Sequence, residues 1–367
     1  MPPSSLFDVP SPFSDACRIW INPSEERTMR ELQELPTEER EKVWADLSGD
    51  DFDSEQRDTS IIRQEEEEQL AQLNEELKKV EMSLPSIPAV KKYISQRSFR
   101  LMFLRPNEGN SAAAAKQIVK YLQLKEDLFG SQKLAKDIEL EDLNEQDMAA
   151  LSCGALQWLP QRDRGQRLVY LIRIRDLFES KLPPESILRA HFYHCMEEAR
   201  HEQNQRLGFV LLHYFLDTPT CSANYELIRR GAQFECAMPL RNVAQYLVCQ
   251  NSLWKQVADV FCHLMSPKLR LRARTIFGEF DFFQIVSGLM LCCCISMESP
   301  FYYCSLLYYY HYWKGSYTEV THALLTLGIN PDTIPINEDG EMDLSGSKEW
   351  IEKRRRSRRK INRKRKN

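Results

Sequence analysis

A nearly uninterrupted run of apolar and aromatic residues covers positions 207–216 and ends before Asp217 and Pro219. A strand with one solvated face would alternate apolar and polar residues, so this run predicts a strand buried on both faces. The preceding residues, 188–206, are charged and have helical periodicity. A helix followed by a buried strand is typical of a βαβ unit, so we place this strand at the centre of a largely parallel sheet.

Similar patterns predict the neighbouring elements. A polar turn at 162–165 leads into an apolar strand at 167–173, and residues 156–159 form the first arm of this hairpin. Two further strands are predicted at 239–249 and 269–277. An amphipathic helix at 254–265 lies between them, residues 227–235 are irregular or a short element, and 318–327 form a short helix that ends at Gly328. The alternation indicates an α/β fold.

The N-terminal part of the chain has a weaker pattern. Residues 1–86 are predicted to form an acidic, largely disordered tail with one or two helices, because Pro-, Ser- and Asp-rich runs interrupt short amphipathic stretches. One of these helices, at 59–82, is either solvated or binds a partner. A compact helical region follows at 87–135, and it includes a helix at 111–124 with Ser111 as its N-cap and Gly130 at its end.

The net charge of −4 over 367 residues conceals two ends of opposite charge. Acidic residues outnumber basic ones by more than two to one over 25–81, whereas the tail at 345–367 is strongly basic. Such a tail predicts binding to an anionic membrane surface, with nucleic acid, an import receptor or no dedicated partner as alternatives. The residues expected to bind anions are Arg354, Arg355, Arg356, Arg358, Arg359 and Lys360.

The sequence offers little for catalysis or metal binding. It contains no G-x-S-x-G, G-x-x-x-x-G-K-[ST], G-x-G-x-x-G or H-E-x-x-H motif, so we expect no catalytic residues. Two Glu-x-x-His pairs, at 198–201 and 319–322, have the spacing of di-iron ligands, but we expect solvated helix faces and no metal. The Cys292–Cys294 run with Cys304 is a poor metal site, because three successive thiols cannot turn to one ion without strain.

Composition also bears on the compartment. The first residues are rich in Pro and Ser and lack an apolar segment of secretory type, so we expect no signal peptide. The 11 cysteines have no regular spacing. We therefore expect a reducing compartment, with a cytoplasmic location peripheral to membranes and a nuclear location as the alternative.

Several of these segments, taken in order, resemble the CRAL-TRIO lipid-binding domain of phosphatidylinositol-transfer and retinal-binding proteins. Residues 99–105 followed by an Ala-rich helix are similar to its N-terminal helical subdomain, and 163–169 resemble its D-x-G-R-P-V strand entry. Gly208, residues 239–241, residues 267–278 and the closing stretches 324–329 and 334–341 are similar to its later motifs. The resemblance covers roughly residues 95–344.

The resemblance implies a fold and a division into domains. The fold is α/β, a CRAL-TRIO-like mostly parallel sheet with covering helices, preceded by a small helical N-terminal subdomain. Residues 87–135 would be this subdomain, residues 136–344 the lipid-binding domain and residues 345–367 a basic tail. Leu168 stands where the family has Pro in the strand entry, and Glu341 stands where it has the final Gly of the closing motif.

An apolar insertion at 281–315 interrupts the resemblance. Its central part, 282–313, holds one formal charge, Glu298, and has the length and polarity of a membrane span. Three explanations stay open: a translated intron or other gene-model error, an apolar insertion that packs on the lipid gate, and a genuine span.

The expected function is non-enzymatic binding, transfer or sensing of a hydrophobic ligand, such as a phospholipid, phosphoinositide or isoprenoid-type lipid. Helices on one sheet face only would leave an apolar surface on the other face for this ligand. We expect no cofactor beyond the bound lipid. The alternatives are an interaction scaffold with a nuclear or nucleic-acid-binding tail, and a protein anchored through 282–313. The predicted pocket lining is Val210, Leu212, Tyr214, Val243 and Leu247.

Overall fold

The computed structural model describes residues 23–49, 59–216, 218, 225–249, 252–277, 321, 323–325, 327–336 and 341–366. The apolar insertion predicted at 281–315 lies outside these residues. Among the described helices, none combines the length and the apolar character needed to cross a bilayer.

A five-stranded sheet forms the centre of the fold, in the order β1-β2-β3-β4-β5. Strand β1 runs antiparallel to β2, and the remaining pairs are parallel. The predicted α/β class and the predicted central strand are therefore confirmed. The strands are β1 (Leu156–Trp158), β2 (Leu168–Arg173), β3 (Phe209–Tyr214), β4 (Asn242–Cys249) and β5 (Ala273–Phe277).

Helices surround this sheet on both faces. In chain order they are α1 (Pro23–Gln33), α2 (Thr37–Ser48), α3 (Thr59–Lys79), α4 (Pro88–Ile94), α5 (Arg97–Leu104), α6 (Ser111–Phe129), α7 (Glu145–Ser152), α8 (Ile174–Glu179), α9 (Pro184–Ala199), α10 (Glu202–Leu207), α11 (Tyr225–Ala237), α12 (Ser252–Leu264), α13 (Pro267–Arg270) and α14 (Ser345–Lys366). Residues 321 and 323–325 are also helical. Short 3₁₀ turns lie at Glu81–Ser83, Ser131–Lys133, Leu140–Asp142 and Pro331–Thr333.

The strand order places the crossover helices on one face of the sheet. Successive parallel strands follow each other across the sheet in sequence order, and right-handed crossovers in one direction all lie on the same side. Helices α9, α11 and α12 make these crossovers, and they share one core with Tyr170, Phe209 and Leu211. We call this side the crossover face.

The N-terminal helices cover the opposite side, which we call the N-terminal face. Leu32 of α1 and Val43 and Leu47 of α2 are buried there against Val210 and Tyr246. Asp46 of α2 binds Arg241 at 2.9 Å and Arg272 at 2.8 Å, so ion pairs join this helix to the sheet. Helices α1 and α2 thus lie on the sheet within the region predicted as a largely disordered tail.

Helix α3 differs from its prediction in the same way. Leu70, Leu73 and Leu77 are buried in the core that α3 shares with α5 and α6. Buried Glu66 pairs with Arg105 and Arg206. Burial raises its pKa, but the hydrogen bonds and positive charges of the two arginines together outweigh burial and lower the pKa. Helix α3 is therefore part of the folded core, although it was expected to be solvated or free to bind a partner.

Local predictions were wrong at four further points. Residues 227–235, expected to be irregular or a short element, belong to the 13-residue helix α11. The helix predicted over 188–206 is two helices, α9 and α10. The N-cap of α6 is Asn110, whose side chain accepts a hydrogen bond from the Ala113 amide, and not Ser111. Residues 267–270 form the helix α13, so β5 begins only at Ala273.

Candidate functional site

A cavity of about 70 Å³ lies on the crossover face, between the sheet and helices α8, α9, α11 and α12. Apart from two histidines, one glutamate and one glycine, its lining residues are aliphatic or phenylalanine. The apolar wall includes Ile172 of β2, Phe215 just after β3, Leu188 of α9, Ile228 of α11 and Phe261 of α12. Such a lining with a few convergent polar groups is typical of small-molecule pockets.

Helix α12 forms one wall of this cavity. Val257 and Phe261 face the cavity, whereas Val260 and Leu264 are exposed, with 42% and 41% of their surface accessible. The beginning of the helix is anchored: the ring of Trp254 is fully buried, and its Nε1 donates to the Thr218 carbonyl at 2.7 Å. The helix therefore has a fixed start and an apolar outer face towards its end.

Gly231 leaves space in the wall that α11 contributes. A Cβ atom at this position would meet no heavy atom within 4 Å. The glycine lines the cavity, so the missing side chain enlarges it directly. A larger residue here would fill the cavity and would also favour the helix, because Gly is unfavourable in a helix interior.

Three polar side chains lie close together between β3, β4 and α11. Gln245 Nε2 lies 2.6 Å from His213 Nε2 and 3.3 Å from Glu235 Oε2. His213 and Glu235 both line the cavity, and their side chains are only 6% and 9% exposed. The Gln245 amide therefore joins a buried imidazole to a buried carboxyl group.

Burial determines the protonation of these groups. It raises the pKa of Glu235 to about 8, although the hydrogen bond from Gln245 opposes this shift. Burial also lowers the pKa of His213 to about 3. A charged form is disfavoured in each case because the surroundings solvate it poorly. At neutral pH the carboxyl group is largely protonated and the imidazole is neutral.

His191 of α9 adds a third titratable group to the cavity wall. Its ring stacks between Phe234, at 4.3 Å between ring centres, and Tyr170, at 5.3 Å. Burial is the main cause that lowers its pKa to about 3, with a smaller contribution from His213. Within the described chain neither ring nitrogen has a hydrogen-bond partner.

The predicted pocket residues lie elsewhere. Val210, Leu212, Tyr214 and Val243 belong to the core of the N-terminal face, where α1 and α2 cover them. Leu247 belongs to the core of the crossover face but does not line the cavity. The predicted alternation of β3 is correct, but the open space lies on the side of Phe209, Leu211 and His213. The sheet is covered on both faces, not on one.

The predicted anion-binding tail forms the helix α14, and its arginines differ in environment. Arg354 is held by Glu197 and Glu198 of α9, at 2.9 and 3.0 Å, and its guanidinium lies over the Trp350 ring. Arg355 is exposed, and exposed Arg356 pairs with Glu352. The side chains of Arg358, Arg359 and Lys360 lie outside the described residues.

The motifs considered for metal binding give no cluster in the described part of the chain. Among those residues no group of three or more His, Cys, Asp or Glu side chains could hold an ion. In the first Glu-x-x-His pair, Glu198 instead binds Arg354 and Asn204. The second pair, at 319–322, and the cysteines at 292–294 and 304 lie outside the described residues.

Sequence reasoning missed Glu235 and Gln245 as functional candidates. The sequence does contain a signal for Glu235. Leu227, Gly231, Phe234 and Glu235 have helical spacing, so one face of a helix over 225–237 carries both a glycine and a carboxylate. A search of protein-family models and of curated proteins finds no match to this chain.

Proposed function

We propose that this protein binds a hydrophobic molecule in the cavity on the crossover face and carries or senses it without covalent chemistry. The observation that carries the proposal is the apolar cavity itself, whose described lining includes no Ser, Thr, Cys or Lys side chain that could act as a nucleophile. The resemblance of residues 95–344 to CRAL-TRIO domains supports the same function. A mostly parallel sheet with covering helices is compatible with that family.

The cavity must enlarge to accept a lipid. Its volume of about 70 Å³ is below the roughly 150 Å³ of an engineered cavity that admits benzene. Burial of a chain contributes about 0.8 kcal/mol per CH₂ group, so a long chain supplies ample free energy for such a rearrangement. Helix α12 is the element that we expect to move, because it lines the cavity with Val257 and Phe261 and its outer face, with Val260 and Leu264, is exposed.

Two surfaces support delivery at a membrane. Val260 and Leu264 offer an apolar patch on α12, the helix expected to open. Exposed basic residues of α14, including Arg355 and Arg356, can attract anionic lipid at about 1 kcal/mol per charge. We therefore propose a cytoplasmic protein that associates peripherally with membranes.

A vesicle transfer assay tests the proposal. Donor vesicles carry pyrene-labelled phosphatidylcholine or, in parallel, a pyrene-labelled long-chain alcohol, and acceptor vesicles carry neither. The protein is expected to accelerate transfer of at least one probe. Gly231→Leu should slow this transfer about tenfold, because the new side chain occupies the cavity.

The control places the same side chain on the other side of the same helix. Gln233 is exposed, so Gln233→Leu should leave the transfer rate unchanged. Thermal unfolding of both variants establishes that each is folded. Transfer at the spontaneous rate for both probes, or equal transfer by the two variants, would refute the proposal.

A second function is an interaction scaffold whose basic helix acts as a nuclear or nucleic-acid-binding signal. The observation that favours it is the contrast within α14, where Arg354 is bound to α9 while Arg355 and Arg356 are exposed. Replacement of Arg355, Arg356, Arg358 and Arg359 by Gln tests it by microscopy. Loss of nuclear localisation with unchanged vesicle transfer would assign the helix to this role.

A further inference from the structure

The polar groups of the cavity come from three different elements and lie near one another. His191 belongs to α9, His213 to β3 and Glu235 to α11, and Gln245 of β4 supports the last two. Every other described lining residue except Gly231 is apolar. The cavity thus has a small polar wall and an extended apolar wall.

We propose that this polar wall recognises a single uncharged hydroxyl or carbonyl group, so that the ligand is a neutral long-chain alcohol, isoprenoid or sterol-like molecule and not a phospholipid. The inference rests on the proposed binding function and defines its ligand class. Hydrogen bonds from a site built for them discriminate strongly, because the buried groups stay unpaired with any ligand that lacks the matching atom.

The first reason is charge. Among the residues that the structure describes, no Lys or Arg side chain lines the cavity, and the acidic group that does line it is Glu235. A phosphate group here would be buried without a compensating cation and beside a carboxyl group, which is strongly unfavourable. A hydroxyl or carbonyl group has no such requirement.

The second reason is unused hydrogen-bonding capacity. Both Glu235 oxygens share the single Gln245 amide at 3.3 and 3.4 Å, and the same nitrogen lies 2.6 Å from His213. His213 Nε2 is 3.8 Å from Glu235 Oε1, too far for a hydrogen bond. Each Glu235 oxygen therefore keeps hydrogen-bonding capacity that the single Gln245 amide does not use. His191 likewise offers its ring nitrogens to the cavity.

The third reason is rigidity. The His191 ring is held between Tyr170 and Phe234, and the His213 ring contacts Phe261 at 5.1 Å. Side chains fixed by packing lose little further freedom when they bind a ligand, which favours a specific hydrogen bond. The wall is organised before the ligand enters.

A matched series of ligands tests the inference. Hexadecane, hexadecanol and hexadecyl phosphate share one chain and differ only at its end, and each competes with a fluorescent apolar probe for the full-length protein. Hexadecanol should displace the probe about tenfold more effectively than hexadecane, and hexadecyl phosphate should be the weakest competitor.

Two variants of Glu235 assign the preference to the polar wall. Glu235→Met removes the hydrogen-bonding group and should abolish the preference for hexadecanol over hexadecane. Glu235→Gln retains a donor and an acceptor and should preserve most of it. Thermal unfolding of each variant, compared with the parent protein, reports whether it is folded.

The outcomes distinguish a failure of the inferred ligand class from a failure of the proposed binding function. Equal binding of all three ligands, stronger binding of the phosphate, or an unchanged preference in Glu235→Met would overturn the inference and leave the binding function standing. If the parent protein binds neither the probe nor any member of the series, both the binding function and the inference fail.

Discussion

The two faces of the sheet are both apolar, yet they are filled differently. On the N-terminal face, helices α1 and α2 lie directly on the strands, and Val210, Leu212 and Tyr246 are fully buried beneath them. On the crossover face, α8, α9, α11 and α12 enclose a cavity with polar groups in its wall. An apolar strand surface therefore does not identify a pocket, because the elements that cover it decide whether space remains.

The difference has a physical origin in the covering helices. Val43 and Leu47 of helix α2 pack on the sheet, and Asp46 of the same helix binds Arg241 and Arg272. Helix α11 presents Gly231, which has no side chain, and Glu235, which is buried without a cation. The N-terminal face is fully packed, whereas the crossover face contains empty space and a poorly solvated carboxyl group.

The largest effect is expected where α2 is joined to the sheet. Asp46→Ala leaves Arg272 without its carboxylate and Arg241 with Glu108 alone, and it should lower the free energy of unfolding by about 4 kcal/mol. Chemical denaturation measures this change. The control is Glu41→Ala in the same helix, where the side chain is exposed and the effect should stay below about 0.5 kcal/mol. Equally small losses of stability in the two variants would mean that α2 contributes little to the stability of the N-terminal face.

A matched pair of leucines compares the two faces directly. Leu212→Ala in the N-terminal core should cost about 3 kcal/mol, because it creates a new void in a fully packed region. Leu227→Ala on the cavity wall should cost roughly half as much, because its side chain already borders empty space. Chemical denaturation of the two variants measures both losses of stability. A larger loss in Leu227→Ala than in Leu212→Ala would contradict the expected difference between the two faces.

The buried carboxyl group should appear in the pH dependence of stability. Its pKa rises from 4.5 to about 8 on folding, so the unfolded chain releases this proton first and the contribution of Glu235 to stability falls between pH 4.5 and 8. Glu235→Gln has no such proton. Its stability relative to the parent should therefore increase by about 2 kcal/mol from pH 5 to pH 7.

Other buried groups titrate in the same experiment but act in the opposite sense. His191, His194 and His213 have lowered pKa values, so they destabilise the fold as the pH falls below 6.5. Because both proteins contain these histidines, the difference between them isolates Glu235. A difference that stays constant with pH would show that the carboxyl group is solvated.

The smallest effect is expected at α14, which lies on α9 behind the cavity. Arg354→Ala removes the pairs with Glu197 and Glu198 and should lower stability by about 1 kcal/mol, since the side chain is only partly buried. Arg355→Ala, at an exposed position, serves as the control and should have no measurable effect. Equal effects would mean that the ion pairs do not hold α14 in place.

The sequence predicts the sheet well because a strand such as β3 carries its signal in ten consecutive residues. Its period of two also assigns Phe209, Leu211 and His213 to one face and Val210, Leu212 and Tyr214 to the other. The sequence of the strand itself could not show which of the two faces borders a cavity. It depends on α1 and α2, whose polar sequences bury only a few residues and resemble a solvated tail.

The polar wall of the cavity could not be predicted from the sequence for a related reason. His213, Glu235 and Gln245 are separated by 10 to 32 positions along the chain, and only the packing of β3, β4 and α11 brings them together. Residues 227–235 were expected to be irregular or a short element, so their helical face was not considered. Long-range contacts of this kind are set by tertiary structure, which overrides local propensity.

Native mass spectrometry of the purified full chain tests the central claim most directly, because it counts ligand molecules on intact protein. After exposure to a total lipid extract, the parent and Gln233→Leu should each retain one hydrophobic molecule per chain, and Gly231→Leu should retain none. A parent protein that stays empty, or a Gly231→Leu variant that retains the same ligand to the same extent, would contradict the account.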